Sequence, residues 1–335
     1  MARVGIRDVA VLSGVAVGTV SNFLNHPDRV SDDKAQRISA AIDSLGFVPS
    51  NAGRQLRLGV SSAIGYIAPD VSNPYFAEIA ESVELRASEL GITVFLANSH
   101  RSRERENTYI ELFEQYRVQG LLMSSHVPVE DRLAQVRRRG TPSVLVGQHA
   151  QSDEQPSVSL DEVSGGRQAM RHLLEVGSRR LLFVGGPLDI PQVSARLAGA
   201  GEVIREFGAA TLEVIDEPDR TVRGGRRVGA ALLSRPKEMM PDGIFAANDL
   251  LALGIMNALV AGGVDVPGAT SIVGYDDIEF AEASLIPLTT VKGRHEGFGI
   301  AVVDLLFDTI GGRVIDEPRR VFEPELVVRA STRRS

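Results

Sequence analysis

The chain has 335 residues, more than one average domain, so two or three folding units are expected. Hydrophobic residues make up 43% of it, yet no apolar run reaches the roughly 18 residues of a bilayer span, so we expect a core and no transmembrane helix. The first twenty residues lack the apolar stretch of a signal peptide, which predicts a cytoplasmic protein. The absence of cysteine excludes disulfides, cysteine-based zinc sites and a thiol nucleophile.

The net charge of −7 is unevenly distributed along the chain. Residues 1–60 contain seven basic and five acidic residues, a net charge of +2, which leaves −9 on the remainder. Such an asymmetry indicates a nucleic-acid-facing head on an acidic body.

Residues 6–46 predict three short helices. The first spans about Arg7–Ser13 and ends at a turn made by Gly14, and the second spans about Val17–Leu24. The third begins after Ser31, a good N-cap, and stops at Gly46. The apolar positions recur at helical spacing and are Val9, Ala10 and Leu12, then Val20 and Leu24, then Ile38, Ile42 and Leu45.

Two short helices joined by a glycine turn, with a third closing the core, form a helix-turn-helix, whose second helix enters the major groove of DNA. An outward Asn22 can pair with adenine, and an outward Val17 can touch a thymine methyl. Periodicity by itself fits a generic three-helix bundle with a polar outer face equally well. The predicted DNA contacts of this region are Ile6, Val17, Gly18, Thr19, Ser21, Asn22, Asn25, Arg29 and Ser31.

The ordered motifs "DVA", "SGV", "TVS", "LN", "RVS" and "P-x-N-A" resemble the DNA-binding headpiece of the lactose-repressor (LacI/GalR) family. Three positions depart from the family pattern. Ala16 stands where many members have an N-cap Ser, Asn22 where Arg is frequent, and Gly18 brings no side chain to a position that usually reads a base. The operator is therefore expected to differ from those of better-known relatives.

The stretch "SNAGRQLRLG" follows Pro49, and the resemblance implies a hinge helix here that folds in the minor groove of the operator. Ten residues are too few for a stable isolated helix in water, so folding would be coupled to DNA binding. Leu56 would be the apolar wedge that kinks the duplex. The alternative is a flexible linker with incidental basic residues. The predicted hinge contacts are Asn51, Gly53, Arg54, Leu56 and Arg57.

From Ala63 onwards, apolar strands alternate with amphipathic helices, which predicts parallel sheets covered by helices. The predicted strands are Ala63–Ala68, Thr93–Ala97, Leu121–Ser124, Ser143–Val146, Leu181–Val184, Ile244–Ala247 and Ser271–Gly274. The helices between them include Phe76–Leu90, Glu104–Tyr116, Val163–Val176 and Asp249–Ala261.

The predicted fold is an all-α helix-turn-helix headpiece (residues 1–48), a hinge (49–60), and an α/β sensor (61–335) of two Rossmann-like parallel-sheet subdomains. The first subdomain would comprise about 61–160 plus about 289–320, and the second about 161–288 plus about 321–332. Polar residues follow several strands, and open α/β sheets bind ligands at those strand ends. Ordinary loop polarity would explain any single one of these clusters.

The segments "GYIAPDVSNPYF", "PDGIFAANDLLALG" and the terminal "ELVVRAST" resemble the periplasmic-binding-protein-like sensor of the same family. The effector contacts that this resemblance implies are Asn73, Tyr75, Phe76, Gln148, Gln192, Arg196, Arg220, Asn248 and Asp276. Gly147 stands where relatives often have an acid, and Arg220 where an aromatic residue is common. Our hypothesis is therefore an effector with a carboxylate or phosphate, a sugar acid or phosphosugar, although Arg220 could equally face solvent.

Two other functions fit the sequence less well. An enzyme is disfavoured because the chain has no GxSxG, Walker A or HExxH motif and its six histidines lack metal-ligand spacing, so neither a metal nor a cofactor is expected. A periplasmic receptor would need a signal peptide in place of the headpiece. The sequence therefore predicts a cytoplasmic, homodimeric transcriptional regulator, expected to act as a repressor, that binds an inverted-repeat operator under the control of a sugar, sugar acid or phosphosugar. Few residues follow "VVRAST", which favours a dimer over a tetramer.

Overall fold

The structure, a computed structural model, describes residues 4–48, 61–293 and 295–333. It divides into two units, residues 1–61 and 62–335. The predicted hinge contacts lie outside the described residues. No helix in the described ranges is long and apolar enough to cross a bilayer, and no group of acidic or histidine side chains within them is arranged to hold a metal ion.

The headpiece contains the three predicted helices, with a short 3₁₀ turn before the third. Their bounds are Ile6–Ser13 (α1), Val17–Asn25 (α2) and Asp32–Leu45 (α3). Gly14 and Gly46 end α1 and α3 with φ of 65° and 59°, a left-handed conformation that glycine adopts without steric cost. Val9, Val20 and Ile38 are fully buried where the helices meet.

The prediction that Leu12 faces the headpiece core is wrong, because 54% of its surface is exposed. Val9, Ala10 and Ser13 share the buried face of α1, and Leu12 falls to one side of it. Ser13 is tolerated inside because its hydroxyl donates a hydrogen bond to the carbonyl of Val9 at 2.6 Å. Phe47, just after α3, adds a buried aromatic ring that helical periodicity did not identify.

The sensor unit consists of two six-stranded sheets covered by helices. The first sheet has the order β11-β5-β4-β3-β1-β2, and the second has the order β12-β10-β9-β8-β6-β7. All pairs are parallel except β10 with β12. The strands are Ala63–Ala68 (β1), Thr93–Asn98 (β2), Leu121–Met123 (β3), Ser143–Val146 (β4), Ser157–Leu160 (β5), Arg180–Gly185 (β6), Thr211–Asp216 (β7), Gly243–Ala246 (β8), Ser271–Tyr275 (β9), Thr289–Lys292 (β10), Arg319–Phe322 (β11) and Glu325–Val327 (β12).

The helices of the sensor follow the strands in chain order. They are Pro74–Glu89 (α4), Arg103–Gln115 (α5), Glu130–Arg138 (α6), Glu162–Glu175 (α7), Pro191–Phe207 (α8), Val222–Leu233 (α9), Asp249–Ala261 (α10), Glu279–Ala283 (α11) and His295–Ile310 (α12). The seven predicted strands and four named helices all form, with shifts of one or two residues at their ends. The sequence reading did not identify β5, β7, β10, β11 and β12, which are short or exposed on one edge.

The predicted subdomain boundaries near 289 and 321 need correction. Strand β10 pairs with β9 of the second sheet, so the chain leaves that subdomain only after Lys292. Strand β11 pairs with β5 of the first sheet, so the final return to the second subdomain follows Phe322. The hydrogen bonding of a strand to its neighbour, rather than its own composition, decides to which sheet it belongs.

Strand register brings the carboxyl ends of the first sheet level with one another. Ala68 at the end of β1 pairs with Asn98 at the end of β2, and Ile67 pairs with Met123 at the end of β3. The loops after these strands therefore meet at one edge of the sheet. The second sheet arranges its own strand ends in the same way, and a cleft lies between the two edges.

Candidate functional site

The exposed part of helix α2 is the candidate DNA-reading surface of the headpiece. Val17, Gly18 and Asn22 are exposed, whereas Val20 is fully buried. Ala16 is the N-cap and its side chain makes no capping hydrogen bond, as its residue type dictates. This leaves the first turn of the helix with backbone N–H groups that can donate to a phosphate.

The other predicted headpiece contacts are less uniform in exposure. Arg29 and Ser31 are exposed, and Ser31 occupies the N-cap position of α3, although its side chain makes no capping hydrogen bond. Thr19 and Ser21 are half-buried. Asn25 is also half-buried, and its amide donates to the carbonyl of Ser21 at 2.6 Å. Ile6 is half-buried against the headpiece core.

A pocket between the two subdomains of the sensor is the candidate effector site. It is lined from the first subdomain mainly by the loops after β1 to β4, and from the second by α7, α8 and the loops after β7 to β9. Eight of the nine predicted effector contacts line it: Asn73, Tyr75, Phe76, Gln192, Arg196, Arg220, Asn248 and Asp276. Sequence positions that are up to 203 residues apart thus meet in one cavity.

Gln148 is the predicted effector contact that does not line this pocket. Its side chain is buried and donates to the backbone carbonyl of Ser125, and it lines a neighbouring cavity of about 390 Å³. The preceding residue, Gly147, lines the pocket instead and adopts a φ of 77°. The turn at Gly147 rotates the next side chain away from the cleft.

Arg196 organises the floor of the pocket on the side of the second subdomain. Its guanidinium donates to both carboxylate oxygens of Glu162, at 2.8 and 3.2 Å, and to the carbonyl of Ala247. It also lies 3.5 Å above the centre of the Tyr275 ring. The pKa of Arg196 is raised above its usual value because these partners outweigh the cost of burial.

Asp276 is held in the pocket by a strained backbone. Asp276 and Asp277 have φ of 107° and 54°, which non-glycine residues rarely adopt. The conformation is fixed by a hydrogen bond from the Asp276 amide to the carbonyl of Val291 at 2.9 Å and by an ion pair of Asp277 with Arg329 at 2.7 Å. Burial raises the pKa of Asp276 to about 7, against the opposing effect of Arg196, so this carboxyl titrates near neutral pH.

Aromatic rings form the wall on the side of the first subdomain. Asn73 caps α4 by accepting from the amide of Tyr75 at 3.2 Å, which places Tyr75 and Phe76 at the start of the helix beside the cavity. Phe76 packs edge-on against the His126 ring, with centroids 5.8 Å apart. Burial and the charge of Arg220 hold the pKa of His126 well below its usual value, so the ring is neutral at pH 7.

Two contacts join the subdomains across the pocket. The amide of Gln192 on α8 donates to the carbonyl of Gly147 at 2.8 Å, and Nη2 of Arg220 lies 3.2 Å from the His126 ring nitrogens. The empty volume of the pocket, including its opening to solvent, is about 590 Å³, within the range of about 300–1,000 Å³ typical of small-molecule sites. A ligand in this pocket would lie against residues of both subdomains.

Sequence reasoning missed several lining residues, among them Arg101, His126 and Glu162. Arg101 and His126 follow β2 and β3 by three residues, so the rule that ligands bind at strand ends could have identified both. Glu162 follows β5, which was not recognised as a strand. Asp249 also follows a strand but does not line the pocket. It is fully buried, and its carboxyl group accepts hydrogen bonds from the Thr290 hydroxyl at 2.6 Å and the Ile278 amide at 2.9 Å, so its role is structural.

Comparison with known proteins bears on both units of the chain. Residues 5–50 match the model for bacterial regulatory proteins of the lacI family, and residues 170–332 match that for periplasmic binding protein-like domains. The chain is 30% identical over 330 residues to the HTH-type transcriptional repressor CytR of Escherichia coli K12, covering 98% of this chain and 96% of the relative. It is 32% identical over 329 residues to the ribose operon repressor of Halalkalibacterium halodurans, covering 98% and 97%.

Two solved structures are similar to this chain and cover nearly all of it. The Lac repressor dimer bound to operator and the anti-inducer ONPF has a TM-score of 0.84 at 26% identity and covers 99% of both chains. The complex of the transcriptional regulator CelR with cellobiose has a TM-score of 0.71 at 31% identity, covering 98% of this chain and all of that one. With its helix-turn-helix headpiece and its two-subdomain sensor, the chain belongs to the lacI family of bacterial transcriptional regulators.

Proposed function

We propose that the chain is a transcriptional repressor whose affinity for an inverted-repeat operator is controlled by a small molecule bound in the sensor pocket. The observation that carries this proposal is the convergence of eight predicted effector positions on one inter-subdomain pocket, in a chain that also has a helix-turn-helix with an exposed second helix. The relatives named above are repressors, which supports the same direction of control. A regulator of this kind acts on chromosomal DNA in the bacterial cytoplasm.

On the DNA side, Asn22 and Val17 would contact base edges in the major groove, and Arg29 would contact a phosphate. Two copies of the chain would place two headpieces on the two halves of the operator, as a twofold-symmetric site requires. The Lac repressor is a dimer on its operator, which supports this arrangement. The sequence predicts a hinge between the headpiece and the sensor, and we propose that its Leu56 inserts as a wedge between base steps in the minor groove.

On the ligand side, we propose that the effector changes the balance between open and closed arrangements of the two subdomains. The contact of Gln192 with Gly147 and that of Arg220 with His126 favour the closed one. A ligand in the pocket adds its own contacts to residues of both subdomains. Its differential affinity for the two arrangements shifts their populations, and with them the separation of the hinges.

The test is selection of binding sites from random DNA duplexes by the full-length chain, at one stated salt concentration. We expect an inverted repeat with a fixed, easily kinked central step. Repeating the selection with each small molecule that raises the melting temperature should strengthen or weaken the enrichment. As a control, the chain without residues 1–60 should keep its ligand response and lose sequence-specific DNA binding. Weak, salt-sensitive and sequence-independent binding under every ligand condition would refute the proposal.

A further inference from the structure

The cationic side chains that line the sensor pocket differ in their counter-ions. Arg196 is paired with Glu162, with N–O distances of 2.8 and 3.2 Å. Arg101 is paired with Asp70 at 2.6 Å. Arg220 is the exception: within the described parts of the chain, no carboxylate lies within salt-bridge distance of its guanidinium, and its Nε is buried without a hydrogen-bond partner.

The carboxylates nearest to Arg220 along the chain do not pair with it, because they form ion pairs with another arginine. Glu217 and Asp219 accept from Arg227 on α9 at 2.9 and 3.0 Å. The backbone of Arg220 is fixed in turn, since its carbonyl accepts from the Asn248 amide at 3.1 Å. The side chain is therefore directed into the cleft, away from the acidic residues beside it in sequence.

The partner that Arg220 does have cannot neutralise it. His126 is uncharged at neutral pH, and its ring offers Arg220 only the lone pair of one nitrogen. Burial, and then the charges of Arg101 and Arg196, lower the pKa of Arg220 to about 10 against the opposing charges of Asp276 and Asp70, so the guanidinium still carries its proton at pH 7. A buried cation with no carboxylate at ion-pair distance is costly, and an anionic ligand would reduce that cost.

We propose that the effector carries an oxyanion, a carboxylate or a phosphate monoester, that binds Arg220 as its missing counter-ion. This inference rests on the proposed function, in which this pocket takes a small-molecule effector. The anion would lie between Arg220 of the second subdomain and Arg101 of the first, so that it draws the two subdomains together. The rest of the ligand would bear hydroxyls, one of which can donate to Oε1 of Gln192, a buried oxygen without a partner.

The replacement of Arg220 by Met tests this, since Met keeps the length and removes the charge. Arg223→Met is the matched control, because Arg223 lies three residues further along the chain and 83% of its side chain is exposed. Arg220→Lys keeps the positive charge and shows whether that charge alone restores the binding of anions. The full-length proteins are titrated, by thermal shift and calorimetry at constant ionic strength, with inorganic phosphate, sulfate, and matched neutral, carboxylate and phosphate forms of common sugars.

We expect anions to stabilise the unmodified protein and Arg223→Met alike, and the best acidic ligand to lose at least ten-fold in affinity in Arg220→Met. Arg220→Lys should recover part of that loss. A preference for the carboxylate series over the phosphate series, or the reverse, identifies the source of the oxyanion.

Two results would overturn the inference. One is that no anion distinguishes the unmodified protein from Arg220→Met, and the other is that a neutral sugar alone binds and controls operator affinity. In the second case the proposed function stands while the anionic effector does not. If the protein instead selects no operator under any condition, the proposed function fails whatever the anions do.

Discussion

Replacing Arg196 by Met removes the cation of a buried ion pair and leaves the pocket floor with an uncompensated carboxylate. Only 6% of the Arg196 side chain and 9% of the Glu162 side chain is exposed, so water cannot take over the lost contacts. Asp276, 3.8 Å from the same guanidinium, loses the same cation. Breaking one side of such a pair costs about 3–5 kcal/mol in the free energy of unfolding.

A second contribution belongs to Arg196 alone. The carbonyl of Ala247 loses its donor, which costs about 1–3 kcal/mol whether or not the Glu162 carboxylate is present. The double replacement Glu162→Gln with Arg196→Met leaves no unpaired charge at position 162 and should therefore cost less than the sum of the single replacements. We expect a coupling energy of about 2 kcal/mol from the double-mutant cycle.

The assay is guanidinium-induced unfolding of the full-length proteins at pH 7, with the sensor transition followed separately from the headpiece. Arg171→Met is the control, because Arg171 and Glu206 form a pair that is 58% and 66% exposed at 3.5 Å, and such pairs contribute about 0–1 kcal/mol. A loss below about 1 kcal/mol in Arg196→Met, or a coupling energy near zero, would refute the view that this pair organises the pocket floor.

Three further outcomes are expected. Gly199→Ala should cost about 1–3 kcal/mol in the free energy of unfolding, because the added Cβ would overlap the backbone of α7. Gly201→Ala on the same helix should cost under about 0.5 kcal/mol, because only a flexible side chain lies near that position. Equal losses in the two variants would contradict the close approach of α7 and α8. Asp276 should contribute stability to the sensor that is lost as pH rises from about 4 to about 7, because its folded pKa is raised to about 7 and the folded state binds its proton in this range. Relative to the unmodified protein, Asp276→Asn should therefore shift the change in the free energy of unfolding between pH 5 and pH 8 in the stabilising direction, and an identical change in both proteins would speak against it. Asn22→Ala should cost about 1–3 kcal/mol in the free energy of operator binding through the loss of preference at one base position. Arg29→Gln should weaken binding to all DNA sequences alike and reduce the slope of log affinity against log salt concentration by about 1. Gel-shift titrations at several salt concentrations distinguish the two effects, and a loss of base preference in Arg29→Gln would contradict its assignment to a phosphate.

Much of the architecture was available from the sequence because it depends on local patterns. Helical spacing of apolar residues and the glycines at 14 and 46 located the three headpiece helices. Buried strands such as β1, β6 and β8 are rich in apolar residues and were therefore predicted. Edge strands such as β7 expose part of their surface and are less apolar, so they were missed.

The sequence, through its local patterns and its resemblance to a known family, predicted the fold class, the order of the units, and half of the residues that line the pocket. Only the tertiary structure decided which sheet receives β10 and β11, since that depends on hydrogen bonds between distant segments. It also decided the charge state of the pocket. Arg101, Arg196 and Arg220 are alike in sequence, and the carboxylates that pair with the first two come from other parts of the fold. Electrostatic pairing depends on distance in space and on burial, neither of which can be read along the chain, and this is why the unpaired Arg220 appears only once the strands are assembled.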